Sequence, residues 1–137
     1  MKAKARHNGA VFLIVVFAIA LLTTITVGIL VMTTEELQLM QNQLYAANAI
    51  CIAEAGLNDA FAQIRADSSW TPDAGYINKS FSSCGTYTVT YEGSLPDPNI
   101  ICTGVSVQGY TARVKAKVTI GAVAPYVIRI DDLRINE

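Results

Sequence analysis

AVFLIVVFAIALLTTITVGILVM, residues 10–32, is the stretch that decides the fold. Its 23 residues include no Asp, Glu, Lys, Arg, His, Asn or Gln. As a helix they rise roughly 35 Å, enough for a bilayer core of about 30 Å. Thr23, Thr24 and Thr26 are expected to return their hydroxyls to the preceding turn, and Gly28 is tolerated in a membrane helix. Ahead of the run stand Lys2, Lys4, Arg6 and His7, and no acid appears before Glu35. A basic flank of this kind stays cytoplasmic, which sends everything after Thr33 outward. A cleavable signal peptide has an apolar core of about 7–15 residues ending at a small-x-small site. Here Ala18-Ile19-Ala20 falls in the middle of a longer run, so the segment is expected to persist as a transmembrane anchor in contact with lipid.

Outward from the anchor, the chain divides into residues 1–9, a short basic flank, residues 10–33, the apolar helix, and residues 34–137. No proline interrupts the sequence from Ala10 to Ala66, and one continuous helix is expected there. Water begins at Thr33-Thr34-Glu35-Glu36. Leu37, Met40 and Leu44, and after a shift of the stripe Ile50, Ala53, Leu57, Phe61 and Ile64, recur at spacings of three and four, the signature of a one-sided helix. Alanine is dense here and favours helix, while Gly56 is a soft point. Asp67-Ser68-Ser69 and Pro72 end the helix, and Asp67–Ser83 reads as loop, with Trp70 and Tyr76 at the edge of the core.

The remainder alternates with the period of a strand. Gly85–Tyr91, Ile100–Val107, Tyr110–Ile120 and Tyr126–Ile130 are expected strands. In the third of these, Ala112, Val114, Ala116, Val118 and Ile120 share one face, and Thr111, Arg113, Lys115, Lys117 and Thr119 the other. The apolar face needs a cover, and the amphipathic half of the helix supplies it. The expected architecture is therefore α+β: a long N-terminal helix, transmembrane in its first half, packed on a small antiparallel sheet.

Catalytic constellations are missing. The single histidine, His7, lies in the basic flank, so no Ser–His or Cys–His dyad forms in the folded domain. Cys51, Cys84 and Cys102, spaced by 33 and 18 residues without histidine, are a poor zinc set, and neither a metal nor a cofactor is expected. Removing residues 1–9 leaves seven basic against eleven acidic residues, so nucleic acid is not an expected partner. In an oxidising compartment the cysteines are free to pair. Cys84 and Cys102 flank the first hairpin and could staple it; Cys51 could instead reach either one, or all three stay reduced. Glu54 is either a solvent-facing helix former or a contact for a neighbour.

Lys2-Ala3-Lys4-Ala5-Arg6-His7-Asn8-Gly9 followed by Ala10-Val11-Phe12-Leu13-Ile14-Val15-Val16 resembles the precursors of the type IV pilin superfamily. Their short basic leader ends in glycine before a hydrophobic helix that serves as anchor and later as filament core. Asn8-Gly9-Ala10-Val11, Ala53-Glu54-Ala55-Gly56-Leu57, Gly85-Thr86-Tyr87-Thr88-Val89 and Ile101-Cys102-Thr103-Gly104 are most similar to PilX-type minor pilins. The resemblance implies a pilin-like fold, cleavage between Gly9 and Ala10 by a prepilin peptidase, and N-methylation of Ala10. It also implies other pilin subunits and an inner-membrane assembly platform as partners, with a final place in an extracellular or periplasmic filament. The chain departs from most pilins at the fifth mature position, where Ile14 replaces a glutamate. A buried charge needs a partner, and without that carboxylate the subunit cannot receive a neighbour's terminal amine. This points to a minor subunit, at the tip or in an initiating complex.

Overall fold

The computed structural model describes residues 4–124 and 126–136, with side chains from residue 9 onward. The leader residues 1–3 and Pro125 lie outside the described residues, as do the side chains of the leader cations. One helix, α1 (Lys4–Ala66), is followed by a 3-10 turn at Ala74–Tyr76 and five strands: β1 (Lys79–Phe81), β2 (Gly85–Glu92), β3 (Asn99–Ser106), β4 (Thr111–Ile120) and β5 (Ile128–Ile135). The strands form one antiparallel sheet in sequence order, β1-β2-β3-β4-β5. This is the α+β architecture expected, and it falls into two compact units, Met1–Gln41 and Asn42–Glu137.

In the first unit the helix satisfies its own polar groups. Thr23 and Thr24 each donate to the Ala20 carbonyl at 2.8 Å, and Thr26 donates to Leu22 at the same distance. Thr33 and Thr34 bond back in the same way. Apart from backbone already paired within the helix, the stretch presents only hydrocarbon, which is the condition for leaving water.

In the second unit the helix acquires a buried stripe. Ala49, Ile52, Ala53, Leu57, Ala60, Phe61 and Ile64 are buried against Tyr87 and Val89 of β2, Ile100 and Cys102 of β3, and Val114, Ala116 and Val118 of β4. Ile50, expected on this stripe, is only half-buried, and Ile52 takes the core position. Leu37, Met40 and Leu44 are exposed, so the one-sided stripe begins at Ala49 rather than at the first water-facing turn. The strict alternation of β4 is observed: its even-numbered residues are buried, and the odd-numbered ones face outward.

Two strand assignments need correction. Lys79–Phe81, expected to be loop, pairs with Gly85–Tyr87 as a short edge strand. Its three residues are too few for a period to show. Strand β5 runs to Ile135 rather than ending at Ile130, so Asp131 and Asp132 lie inside it and not at a strand end. The register shifts between Lys117 and Val118, where Val118 faces Ile130 and Lys117 faces Asp132. The extra residue lets both carboxylates take the outer face: Asp131 accepts from Thr119 Oγ1, and Asp132 from Arg134 Nε, each at 2.7 Å. A bulge of this kind breaks the period of two that marks a strand in sequence.

Candidate functional site

The largest functional feature is the apolar helix of the first unit. Sixteen large hydrophobic residues between Val11 and Met32 are exposed around its whole circumference, Ile14 at 67% and Phe12 at 71% among them. Leaving each such side chain in water costs about 1.5–3 kcal/mol, so sixteen amount to tens of kcal/mol. A one-sided stripe would call for a single partner surface, whereas an all-round apolar helix requires an apolar medium or a bundle of helices. The helix is long and apolar enough to cross a membrane. Gly9 and Ala10, the residues of the expected cleavage junction, are exposed and helical at its start. Ile14 sits among the exposed apolar residues one turn later, where a lone carboxylate would have had no local partner in that hydrocarbon.

In the second unit, helix and sheet approach closely through two glycines. A β-carbon on Gly104 of β3 would meet the Ala49 carbonyl oxygen and lie 2.5 Å from the Ala53 nitrogen, so the strand backbone lies directly against the helix backbone. A β-carbon on Gly56 would meet the Cys102 sulfur and lie 2.6 Å from Tyr87 Cδ2. Gly56 therefore makes room for the sheet, and its roughly 1 kcal/mol helix penalty relative to alanine is offset by contact.

One polar cluster escapes detection in the sequence. Asp59 on α1 accepts from Lys79 Nζ of β1 at 2.6 Å and from Tyr87 Oη of β2 at 2.7 Å. Lys79 also stands 4.2 Å from the centre of the Tyr76 ring. Burial alone would raise the Asp59 carboxyl, but the hydrogen bonds from Lys79 and Tyr87 outweigh it and hold the group below its ordinary value. The bond to Asp59 raises Lys79, while burial and then the same carboxylate push the Tyr87 phenol up to about 12. The cluster latches the helix to the first two strands. Its members lie 20 and 28 residues apart from Asp59 in sequence and carry no shared period.

The cysteines occupy three separate places, all unpaired. Of the pairings left open by the spacing, Cys84–Cys102 does not fit the register of β2 and β3. Cys102 lies opposite Val89 and Gly85 opposite Ser106, so Cys84 is five positions along the ladder from the partner of Cys102. Five residues of strand span about 16 Å, far beyond the roughly 7 Å that a disulfide bridges between α-carbons. Cys102 is buried beneath the helix, and burial pushes its thiol up to about 12. Cys51 is exposed, on the side of α1 away from Ala49, Ile52 and Ala53 and so away from the sheet that carries the other two.

Trp70 packs edge-on against Tyr76 and Tyr91, with ring centres 4.8 and 5.8 Å away, and closes the core edge as expected. Glu54 is exposed on the helix. No protein-family model, curated protein or solved structure matches this chain.

Proposed function

We propose that the chain is a minor pilin or pseudopilin, a structural subunit at the tip or in the assembly of a type IV pilus-like filament. The observation that carries this reading is the all-round apolar helix of residues 10–33. It starts immediately after a basic flank ending in Gly9 and continues without a break into the helix that covers the sheet. Such a helix has two solvents available, lipid before assembly and neighbouring helices afterwards. Lipid is as apolar as leucine, so small residues such as Ala18, Ala20 and Gly28 supply the close packing on which helix association depends. In this reading a prepilin peptidase cuts between Gly9 and Ala10, Ala10 is N-methylated, and the inner-membrane assembly platform extracts the helix from the bilayer. Ile14 restricts the subunit to a minor role, because it offers no carboxylate to a neighbour's amine. The function is structural, and no catalytic step is assigned to any side chain.

The test is to express the full-length chain with and without a prepilin peptidase and to determine the N-terminal residue and mass. A mature start at Ala10 that depends on the peptidase is expected. An intact N-terminus on a membrane-retained chain would replace this reading with a single-pass anchored binding or adhesion domain outside any filament. High stoichiometry along purified filaments would overturn the minor role.

A further inference from the structure

The outer face of the sheet concentrates positive charge. Of the seven basic residues in the unit Asn42–Glu137, five stand on the outward side of β4 and β5: Arg113, Lys115, Lys117, Arg129 and Arg134. Three carboxylates share that face, Glu92, Asp131 and Asp132, which leaves a formal +2. The rest of the unit has two basic and six acidic residues, or −4. Segregation of this kind sets up an oriented field at one surface.

The geometry within the face is specific. Lys115 lies directly opposite Arg134 in the β4–β5 register, an unfavourable juxtaposition of like charges. Glu92 relieves it from one side, 2.8 Å from Lys115, and Asp132 from the other, 2.7 Å from Arg134. Lys117 forms no ion pair among the described residues. Asn99, Lys115, Lys117, Asp132 and Arg134 enclose a groove of about 210 Å³. Exposed ion pairs of this type contribute little, so exchanging a carboxylate for an incoming oxyanion costs little. Along β4, Arg113, Lys115 and Lys117 recur every second residue, about 6.7 Å apart.

We propose that this face binds inorganic polyphosphate, one phosphate seated between Lys115, Lys117 and Arg134 and alternate groups along the polymer facing the successive β4 cations. The inference is independent of the filament reading.

The experiment uses full-length protein in non-ionic detergent and fluorescently labelled inorganic polyphosphate, with anisotropy read across a salt series. Binding is expected to weaken steeply with salt, as counterions condensed on the polymer are released by each cation contact. Lys117→Gln should weaken binding about fivefold, the value of one cation at a polyanionic surface. Lys117→Arg should retain binding. Arg65→Gln, off this face, and neutralisation of Lys2, Lys4 and Arg6 together should leave it unchanged. Free phosphate at the same total phosphate concentration should not displace the polymer. Unchanged affinity in Lys117→Gln, equal loss in Arg65→Gln or in the leader variant, or displacement by free phosphate would each overturn the proposal. Circular dichroism of each variant confirms that the fold is retained.

Discussion

Gly104 and Tyr91 show how much a single position decides in this protein. Replacing Gly104 by alanine places a methyl group into the backbone of α1 at Ala49 and Ala53, where no side chain can turn aside. Overpacking of this kind costs about 1–3 kcal/mol, and the contact with backbone puts Gly104→Ala at the upper end. Thermal unfolding followed by circular dichroism should show a clearly lowered midpoint; an unchanged one would refute the close approach. Tyr91 acts in the opposite sense. Its hydroxyl is buried with no hydrogen-bond partner among the described residues, and burial raises its pKa. Because an unpaired buried hydroxyl costs about 1–3 kcal/mol, Tyr91→Phe should stabilise the domain by about 1 kcal/mol. Alkali should expose the buried acids together. Cys102 and Tyr87 are both raised to about 12 in the folded state, from 9.0 and 10.0. Each folded-state pKa lies above the unfolded one, so the stability these groups contribute is complete below about pH 9 and is lost as pH rises towards 12. A melting series from pH 7 to pH 11 should be flat at first and then fall, with a smaller fall in Cys102→Ala. A profile that stays level to pH 11 would contradict the burial of these groups.

Between elements, the Asp59 latch and the strand register carry the detail that position holds together. Asp59→Asn weakens the acceptor shared by Lys79 and Tyr87. Both charged side chains are partly exposed, so solvent screening reduces the loss to about 1 kcal/mol. The contribution of a depressed carboxylate is present above its unfolded pKa and disappears as pH falls through the folded one. The wild type should therefore lose stability on acidification while Asp59→Asn loses less, and parallel acid melts of the two would refute the latch. The cysteines report on register. A thiol reagent applied to the native protein should modify Cys51 and Cys84, with Cys102 reacting only after unfolding, as mass spectrometry would count. Recovery of a Cys84–Cys102 peptide pair would contradict the pairing of β2 with β3. The latch could not be found by pattern, because Asp59 reads as one more polar helix residue and β1 is too short to show alternation. Only the return of β1 beside β2 aligns Lys79 with Tyr87 and brings both under the helix.

For the molecule as a whole, the governing fact is that one unit excludes water from a core while the other has no core of its own. Arginine at both Leu21 and Ile25 costs about 6 kcal/mol on insertion into a bilayer. The double variant should lose resistance to alkaline extraction from membranes while the strand signal of the sheet persists. Equal retention of variant and wild type would remove the anchor on which the proposed function rests.

The long helix, its apolar first half and the α+β class were all legible in the residues alone. So were the apolar and polar faces of β4. Each of these is a local or periodic property, set by hydropathy, by the absence of proline and by alternation at period two. The contact glycines, the fifth strand's passage through Asp131-Asp132, the Asp59 latch and the separation of the cysteines emerge only from the folded chain. These depend on which residues meet across the sheet. A shift of one position in register moves every side chain to the other face, and the bulge at Asp131 is a local departure of that kind. Spacing along the chain placed Cys84 and Cys102 at the two ends of a hairpin; register, which spacing does not encode, put them on different rungs.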